Sequence, residues 1–462
     1  MKSKFFSIVM VLVLILAGIS TTHVEAGAYS TQFTTSVTYQ NVGSGPATIN
    51  LVFYSENSAT PIQITLPDLA PLAGTSIYVG SIGDIGEGFK GSAVMSSNQP
   101  LVSTLVQVPK AGSGVSVRPM SNGFTSGNGY VLVPTVLKNK YDYNSIVSVQ
   151  NVDSVVADYK LIFVPVTGSP ITIETQDVPV GATKYYDLGT ISTIPAGFNG
   201  SLQVFATKNG TTDPALVVAS AMELGIAGIG AYAFEGATDF STLVYMPSAL
   251  CKKYNADSSY AVQNTTTDPI NVTVTYSNGI VDGPHTLAAG AKKSFLGCAV
   301  NPVGFIGSAT ITATGDIVAM GKIYGGGLST AFLGFSGGAS KVALPYVRWT
   351  TDHWTDGTRQ RSYIAIQNVG AALASGEVVV NYYNNQGVLV GTETMPAIPT
   401  GGKVNSTAEN VAPEFGYNSD GTYGGSAIVQ GPPGSQLAVI VRVQTASGAL
   451  IVGEDYSGIP IQ

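Results

Sequence analysis

Ser145-Ile-Val-Ser-Val-Gln-Asn151 is one of four copies of a phrase that ends at Asn41, Asn151, Asn264 and Asn368. Each copy sets an apolar residue just before the Gln and another two earlier: Val37 and Tyr39, Val147 and Val149, Tyr260 and Val262, Ile364 and Ile366. That is period two, the mark of a strand with one buried face. In the first three copies a second alternating run follows at fixed offsets: Ile49, Leu51, Phe53; Tyr159, Leu161, Phe163; Val272, Val274, Tyr276. In the fourth it is displaced by two residues, to Val378, Val380 and Tyr382. A hairpin accommodates such variation in its turn, so the two runs are expected to pair as one.

A second phrase, an aromatic, any residue, then Gly-Ser, opens a later strand at Phe89-Lys-Gly-Ser92, Phe198-Asn-Gly-Ser201, Phe305-Ile-Gly-Ser308 and Tyr423-Gly-Gly-Ser426. The aromatic reads as a core plug, and the Gly as a point of close backbone approach. Two more runs follow, joined by hairpin chemistry at Asn98-Gln-Pro100, Asn209-Gly210, Gly315-Asp316 and Gly431-Pro-Pro-Gly434. Before the aromatic each repeat carries a small-residue turn: Ala73-Gly74-Thr75, Gly181-Ala182-Thr183, Ala289-Gly290-Ala291, Thr400-Gly401-Gly402. Six or seven short strands in about 105 residues predict an antiparallel β-sandwich, immunoglobulin-like in architecture. The chain is thus expected to be all-β, with four tandem sandwiches at 27–120, 130–228, 241–333 and 341–462.

Repeats two to four each begin with an apolar strand that contains Pro: Tyr130-Val-Leu-Val-Pro134, Leu243-Val-Tyr-Met-Pro247 and Lys341-Val-Ala-Leu-Pro345. Proline cannot donate to a ladder, so an edge strand is expected. A basic and aromatic loop follows: Lys138, Lys140, Tyr141 and Tyr143; then Lys252, Lys253 and Tyr254; then Arg348 to Arg361. Gly-rich linkers, Gly123-Phe124, Tyr232 to Gly236 and Phe332 to Gly338, suggest beads on a string, cut first by proteases at Gly123 to Gly129, Gly228 to Phe240 and Gly334 to Ser340. With these features the chain resembles secreted proteins of bacterial envelopes built from tandem β-sandwich repeats. The resemblance implies an extracellular setting and no particular activity. Repeat one departs from it, having only Gly27 to Phe33 where its siblings have strand and loop.

Met1 to Ala26 reads as a secretory signal peptide, with Lys2 and Lys4 ahead of an apolar Phe5 to Ala17 and small residues at the cleavage position. The rival is a membrane anchor, but about 13 apolar residues fall short of the roughly 20 a span needs. Charged residues make up 11% of the chain, against about 25% in ordinary soluble domains. A net charge of −7 leaves no basic footprint for nucleic acid.

The only cysteines, Cys251 and Cys298, both fall in repeat three. In an oxidising compartment one disulfide is expected, worth about 4 kcal/mol through loop closure; the alternative is two buried thiols. No catalytic constellation, metal site or cofactor loop is expected. Gly334-Phe-Ser-Gly-Gly338 matches a nucleophile elbow but lacks its strand-turn-helix setting. Two function classes remain. One is a non-enzymatic structural or adhesive protein of the cell surface or matrix, with repeats supplying length. The other binds carbohydrate through aromatic loops, above all with Trp349, Trp354, His353, Asp352 and Asp356 of repeat four; the bland alternative packs both tryptophans against the next repeat. Polysaccharide and other surface components are the expected partners. A homo-oligomer is also conceivable, by pairing of the tail Ile459-Pro-Ile-Gln462 with the open repeat one of another molecule; a frayed tail is the alternative.

Overall fold

The computed structural model describes residues 33–462 apart from 57, 87, 111, 227–229, 351–358, 411–413, 417–423 and 448–449, so the expected signal peptide lies outside the described residues. The alternating runs form antiparallel strands, and the strands form two-sheet sandwiches. In repeat one, β1 (Phe33–Asn41), β2 (Ala47–Ser55), β3 (Pro61–Leu69), β4 (Gly74–Tyr78), β5 (Gly91–Ser97), β6 (Leu101–Pro109) and β7 (Met120–Asn122) give sheets of order β4-β1-β6-β7 and β3-β2-β5. Repeat two has β8 (Tyr130–Lys138), β9 (Tyr143–Asn151), β10 (Ala157–Pro165), β11 (Ile171–Val178), β12 (Thr183–Asp187), β13 (Phe198–Lys208), β14 (Val217–Gly225) and β15 (Ala231–Glu235). Its sheets are β12-β9-β14-β15 and β11-β10-β13-β8.

Repeat three repeats that plan with β16 (Ser241–Cys251), β17 (Asp257–Asn264), β18 (Ile270–Tyr276), β19 (Val281–Leu287), β20 (Lys292–Leu296), β21 (Phe305–Gly325) and β22 (Leu328–Leu333). Here the long β21 runs from one sheet into the other, pairing first with β16 and β18, then with β17 and β22. Repeat four has β23 (Lys341–Leu344), β24 (Arg359–Asn368), β25 (Val379–Asn384), β26 (Leu389–Thr394), β27 (Lys403–Ser406), β28 (Gly425–Gln430), β29 (Leu437–Ser447), β30 (Leu450–Ser457) and β31 (Ile459–Pro460). β8 and β16 lie at sheet edges as expected, and around Pro134 and Pro247 the ladder register shifts where the missing N–H would have bonded; β23 does not, since it ends before Pro345 and is flanked by β28 and β31.

The expected hairpin is not one. β9 and β10 lie in opposite sheets, and so do β1 and β2, and β24 and β25; β17 and β18 do not pair with each other but with different stretches of the long β21, Ile317–Tyr324 and Ala309–Ala313. The chain crosses the core as an arch, and the buried Asn at its bend holds it. Asn151 Nδ2 donates to Val155 O (2.8 Å) and Val178 O (3.0 Å), while its Oδ1 accepts from Asp153 N (3.0 Å). Asn41, Asn264 and Asn368 make the same three kinds of bond. The second supposed hairpin fails likewise, since β5 and β6, and β13 and β14, belong to different sheets. Alternation survives both corrections because it records which face is buried, and each arch still turns Leu161 and Phe163 toward Val147 and Val149 in one core.

The plug reading holds. Phe89 packs edge-on against Phe53 at 6.0 Å, Phe198 against Phe163 at 6.4 Å, and Phe305 against Tyr276 at 6.0 Å. A Cβ on Gly91 or Gly200 would overlap the carbonyl of Tyr54 or Val164, so no side chain fits there. In repeat four Tyr423 is outside the described residues, and Phe415 packs edge-on against Tyr382 at 5.8 Å.

Successive sandwiches are fused rather than strung on linkers. The supposed linker Tyr232 to Gly236 is largely β15, beyond the expected boundary at 228, and it pairs with β14. Phe335 pairs with Tyr245, and Ala237 with Leu132. The recurring phrases meet at the joints. The Gln of each phrase donates to the carbonyl of a left-handed residue in its own small turn: Gln40 to Leu72, Gln150 to Gly181, Gln263 to Gly290, Gln367 to Gly401. At three joints the Gly-Ser hydroxyl of the preceding repeat reaches the same carbonyl: Ser92 to Gly181, Ser308 to Gly401 and Ser426 to Leu72. At the remaining joint Lys292, brought down to a pKa of about 7 by burial, donates to Thr135 and Asn199.

The Ser426 contact joins repeat four to repeat one, so the four sandwiches close into a ring. The strands β7, β15, β22 and β30, one from each, touch in turn around its centre. Phe33, Val117, Met222, Ala233 and Val452, from three different repeats, share an apolar cluster there. Each of the four larger side chains, removed from water, contributes about 1.5–3 kcal/mol.

Cys251 and Cys298 are bonded, S–S 2.03 Å, closing a loop of sequence separation 47. Cys298→Ser is expected to cost about 4 kcal/mol, read as a lower urea midpoint that dithiothreitol no longer shifts. The tail is not free for exchange: Ile459 and Pro460 pair with Ala343 and Val342 of the chain's own β23, and Ile461 N donates to Lys341 O (3.0 Å).

Candidate functional site

The basic and aromatic loops are where the sandwiches present chemistry to solvent. Between β8 and β9 the chain turns through Asn139, Tyr141 and Asp142, all at positive φ (46°, 53° and 62°). Between β16 and β17 it does so through Lys252, Tyr254 and Asn255 (51°, 56° and 58°). Three left-handed non-glycine residues at matching positions of two repeats are unusual, and for a bulky Tyr the conformation is strained. Each strained Tyr is thrust into solvent, Tyr141 at 69% and Tyr254 at 73% exposure. A lysine lies over each ring, Lys140 on Tyr141 and Lys253 on Tyr254, both 5.1 Å from the ring centre. The base of each tip is anchored: Lys138 Nζ donates to Ile191 O (2.7 Å), and Asp257 accepts from Lys252 N (2.9 Å). Beside Tyr141 a hollow of about 400 Å³ runs along Pro165 to Ser169 and Pro195 to Asn199.

Repeat four differs from its expectation. Trp349 is buried, 3% exposed, with the Arg361 guanidinium 4.9 Å over its ring and Tyr363 edge-on at 5.7 Å. Its backbone bridges to Phe415, so the ring packs within its own sandwich and offers no face for stacking. Asp352, His353, Trp354 and Asp356 lie outside the described residues. Of the five expected glycan contacts only Trp349 is among the described residues, and it is buried; the exposed aromatics of the described inter-strand loops are Tyr141 and Tyr254. Those were legible in the Lys-Tyr spelling of both loops; their strain was not.

Other polar groups have structural roles. His285 bonds Asp282 (2.6 Å) and sits edge-on to Phe295. Cys251, Asp257 and Cys298 cluster within 4.8 Å, but the two sulfurs are joined to each other and cannot act as thiolate ligands. No helix among the described residues is long and apolar enough to cross a membrane.

The fold defines the class, an all-β protein of tandem antiparallel sandwiches. No family model matches the chain. No curated protein matches it either. Among solved structures, "Crystal structure of tetra-tandem repeat in extending region of large adhesion protein" is similar at 12% identity, covering 94% of this chain and 97% of that chain, with a TM-score of 0.10. A score that low carries no argument.

Proposed function

We propose that this chain is a non-enzymatic, extracellular adhesive protein that holds carbohydrate polymers of a cell surface or matrix on the tips of its inter-strand loops. The observation behind this reading is the matched pair of strained, solvent-facing Tyr tips, each with its Lys. Strain in an exposed loop is retained where the displayed side chain is used. A tyrosine ring stacks on a sugar face through its apolar body while its hydroxyl stays wet. Lysine adds attraction to acidic sugars, and a low surface charge limits nonspecific capture. With the four sandwiches closed into a ring, the repeats serve in this reading as a platform for the tips and not as length.

The test is a glycan array, followed by pull-down on insoluble polysaccharide, comparing wild type with Tyr141→Gly/Tyr254→Gly. Binding should fall at least tenfold, about 1.4 kcal/mol. Stability should rise by about 1 kcal/mol per site, because glycine accepts the left-handed conformation that tyrosine resists. Equal binding by both proteins would overturn the reading.

A further inference from the structure

A groove of about 1220 Å³, far larger than the hollow beside Tyr141, opens between repeats one and two, lined by Leu51, Phe53, Phe89, Met95 and Leu105 of repeat one and by repeat-two residues that include Tyr185. The siblings of repeat one show what belongs there. In repeats two, three and four the strand equivalent to β5 has a second neighbour: β8 on β13, β16 on β21, β23 on β28. Those neighbours sink aliphatic side chains into the core, Val131, Val133 and Val136 from β8, Val342 and Leu344 from β23. β5 pairs with β2 alone among the described residues.

The edge of β5 is also undefended. Exposed sheet edges are usually blunted by charge or proline. The opposite edges of these same sheets obey: β3 carries Pro67 and Asp68, β11 carries Glu174 and Asp177, β19 carries Asp282 and Pro284, β26 carries Glu393. β5 reads Gly-Ser-Ala-Val-Met-Ser-Ser, with neither, and Val94 is exposed. By offset from the repeated Asn, an equivalent of β8 would fall on residues 20–28, which lie outside the described residues and mostly precede the expected cleavage after Ala26. Maturation would remove the chain's own candidate for the groove.

We propose that β5 is an acceptor edge, completed in trans by an extended segment of another protein that carries aliphatic residues at alternate positions. Backbone ladder bonds supply the affinity of such a contact, and the groove selects the side chains. The probe is a labelled peptide copying Gly129–Asn139, the segment that includes β8, titrated into the full secreted protein. Saturable binding with a micromolar dissociation constant is expected, together with at least tenfold slower amide exchange across 91–97. A variant with a copy of Tyr130–Asp142 placed directly ahead of Phe33 should fill the groove in cis, melt higher and ignore the peptide. A scrambled peptide binding equally well, or no binding at all, overturns the proposal. So does full exchange protection of 91–97 in the free protein, which would show that the chain's own residues fill the groove, or loss of the site through dimerisation, which would name a second copy as its occupant.

Discussion

Asn151→Ala is expected to lower the stability of this protein by about 3 kcal/mol or more, although it removes no apolar contact. The side chain is fully buried and bonds two carbonyls and one N–H. Alanine leaves those backbone groups without their partner at the bend of an arch, where each unsatisfied group costs about 1–3 kcal/mol. Asn151→Asp discriminates this account from simple loss of volume. Its carboxylate still accepts from Asp153 N but faces the carbonyls of Val155 and Val178 with negative charge, so it should be worse than alanine at neutral pH and should recover in acid, where the protonated group donates once. Urea midpoints at pH 4 and pH 7 measure both effects. A loss below about 1 kcal/mol for Asn151→Ala would mean that strand pairing alone holds the arch.

Two adjacent acids at the centre of the ring should respond in opposite ways. Asp455 is buried, bonds Arg442 through both oxygens (2.8 and 2.7 Å), and accepts from Thr330 of repeat three (2.8 Å). Asp455→Ala strands the guanidinium, with the Lys403 ammonium, already held at a pKa of about 7 by burial, close by. Breaking such a pair costs about 3–5 kcal/mol. Glu454 points the other way, and neither of its oxygens accepts a hydrogen bond among the described residues. Burial pushes its pKa up to about 8, with Asp455 adding to the rise while Arg118 and Arg348 oppose it. A carboxyl whose folded pKa is raised favours the folded state when protonated. Its contribution is therefore complete below about pH 4.5 and is lost as the pH climbs through about 8. Glu454→Gln should abolish that loss, leaving a protein at least as stable as wild type at pH 8. The readout is the difference between variant and wild type, because Lys292 and Lys403, with depressed pKa values, add stability as pH rises above about 7. A variant that melts below wild type at pH 8 would show that the Glu454 charge is needed.

The sequence by itself determined the period of the fold, its strand faces, the aromatic plugs and the one disulfide pair. These are local matters: alternation states which side of a strand avoids water, and two cysteines in one repeat leave one intradomain pairing. The Lys-Tyr loops were visible for the same reason, as charge and aromatic rings concentrated between two apolar strands. The tertiary structure decided everything that depends on which neighbour a buried face meets. A hairpin and an arch present the same alternation, so the role of Asn151 as the clamp of an arch appears only once β9 and β10 are seen in different sheets. Trp349 lies in a polar stretch of chain, and its burial is set by Arg361, Tyr363 and the distant Phe415. Closure of the ring has no local signature at all, since it follows from how the rotations between successive sandwiches add up until Ser426 of the last repeat reaches the turn at Leu72 of the first.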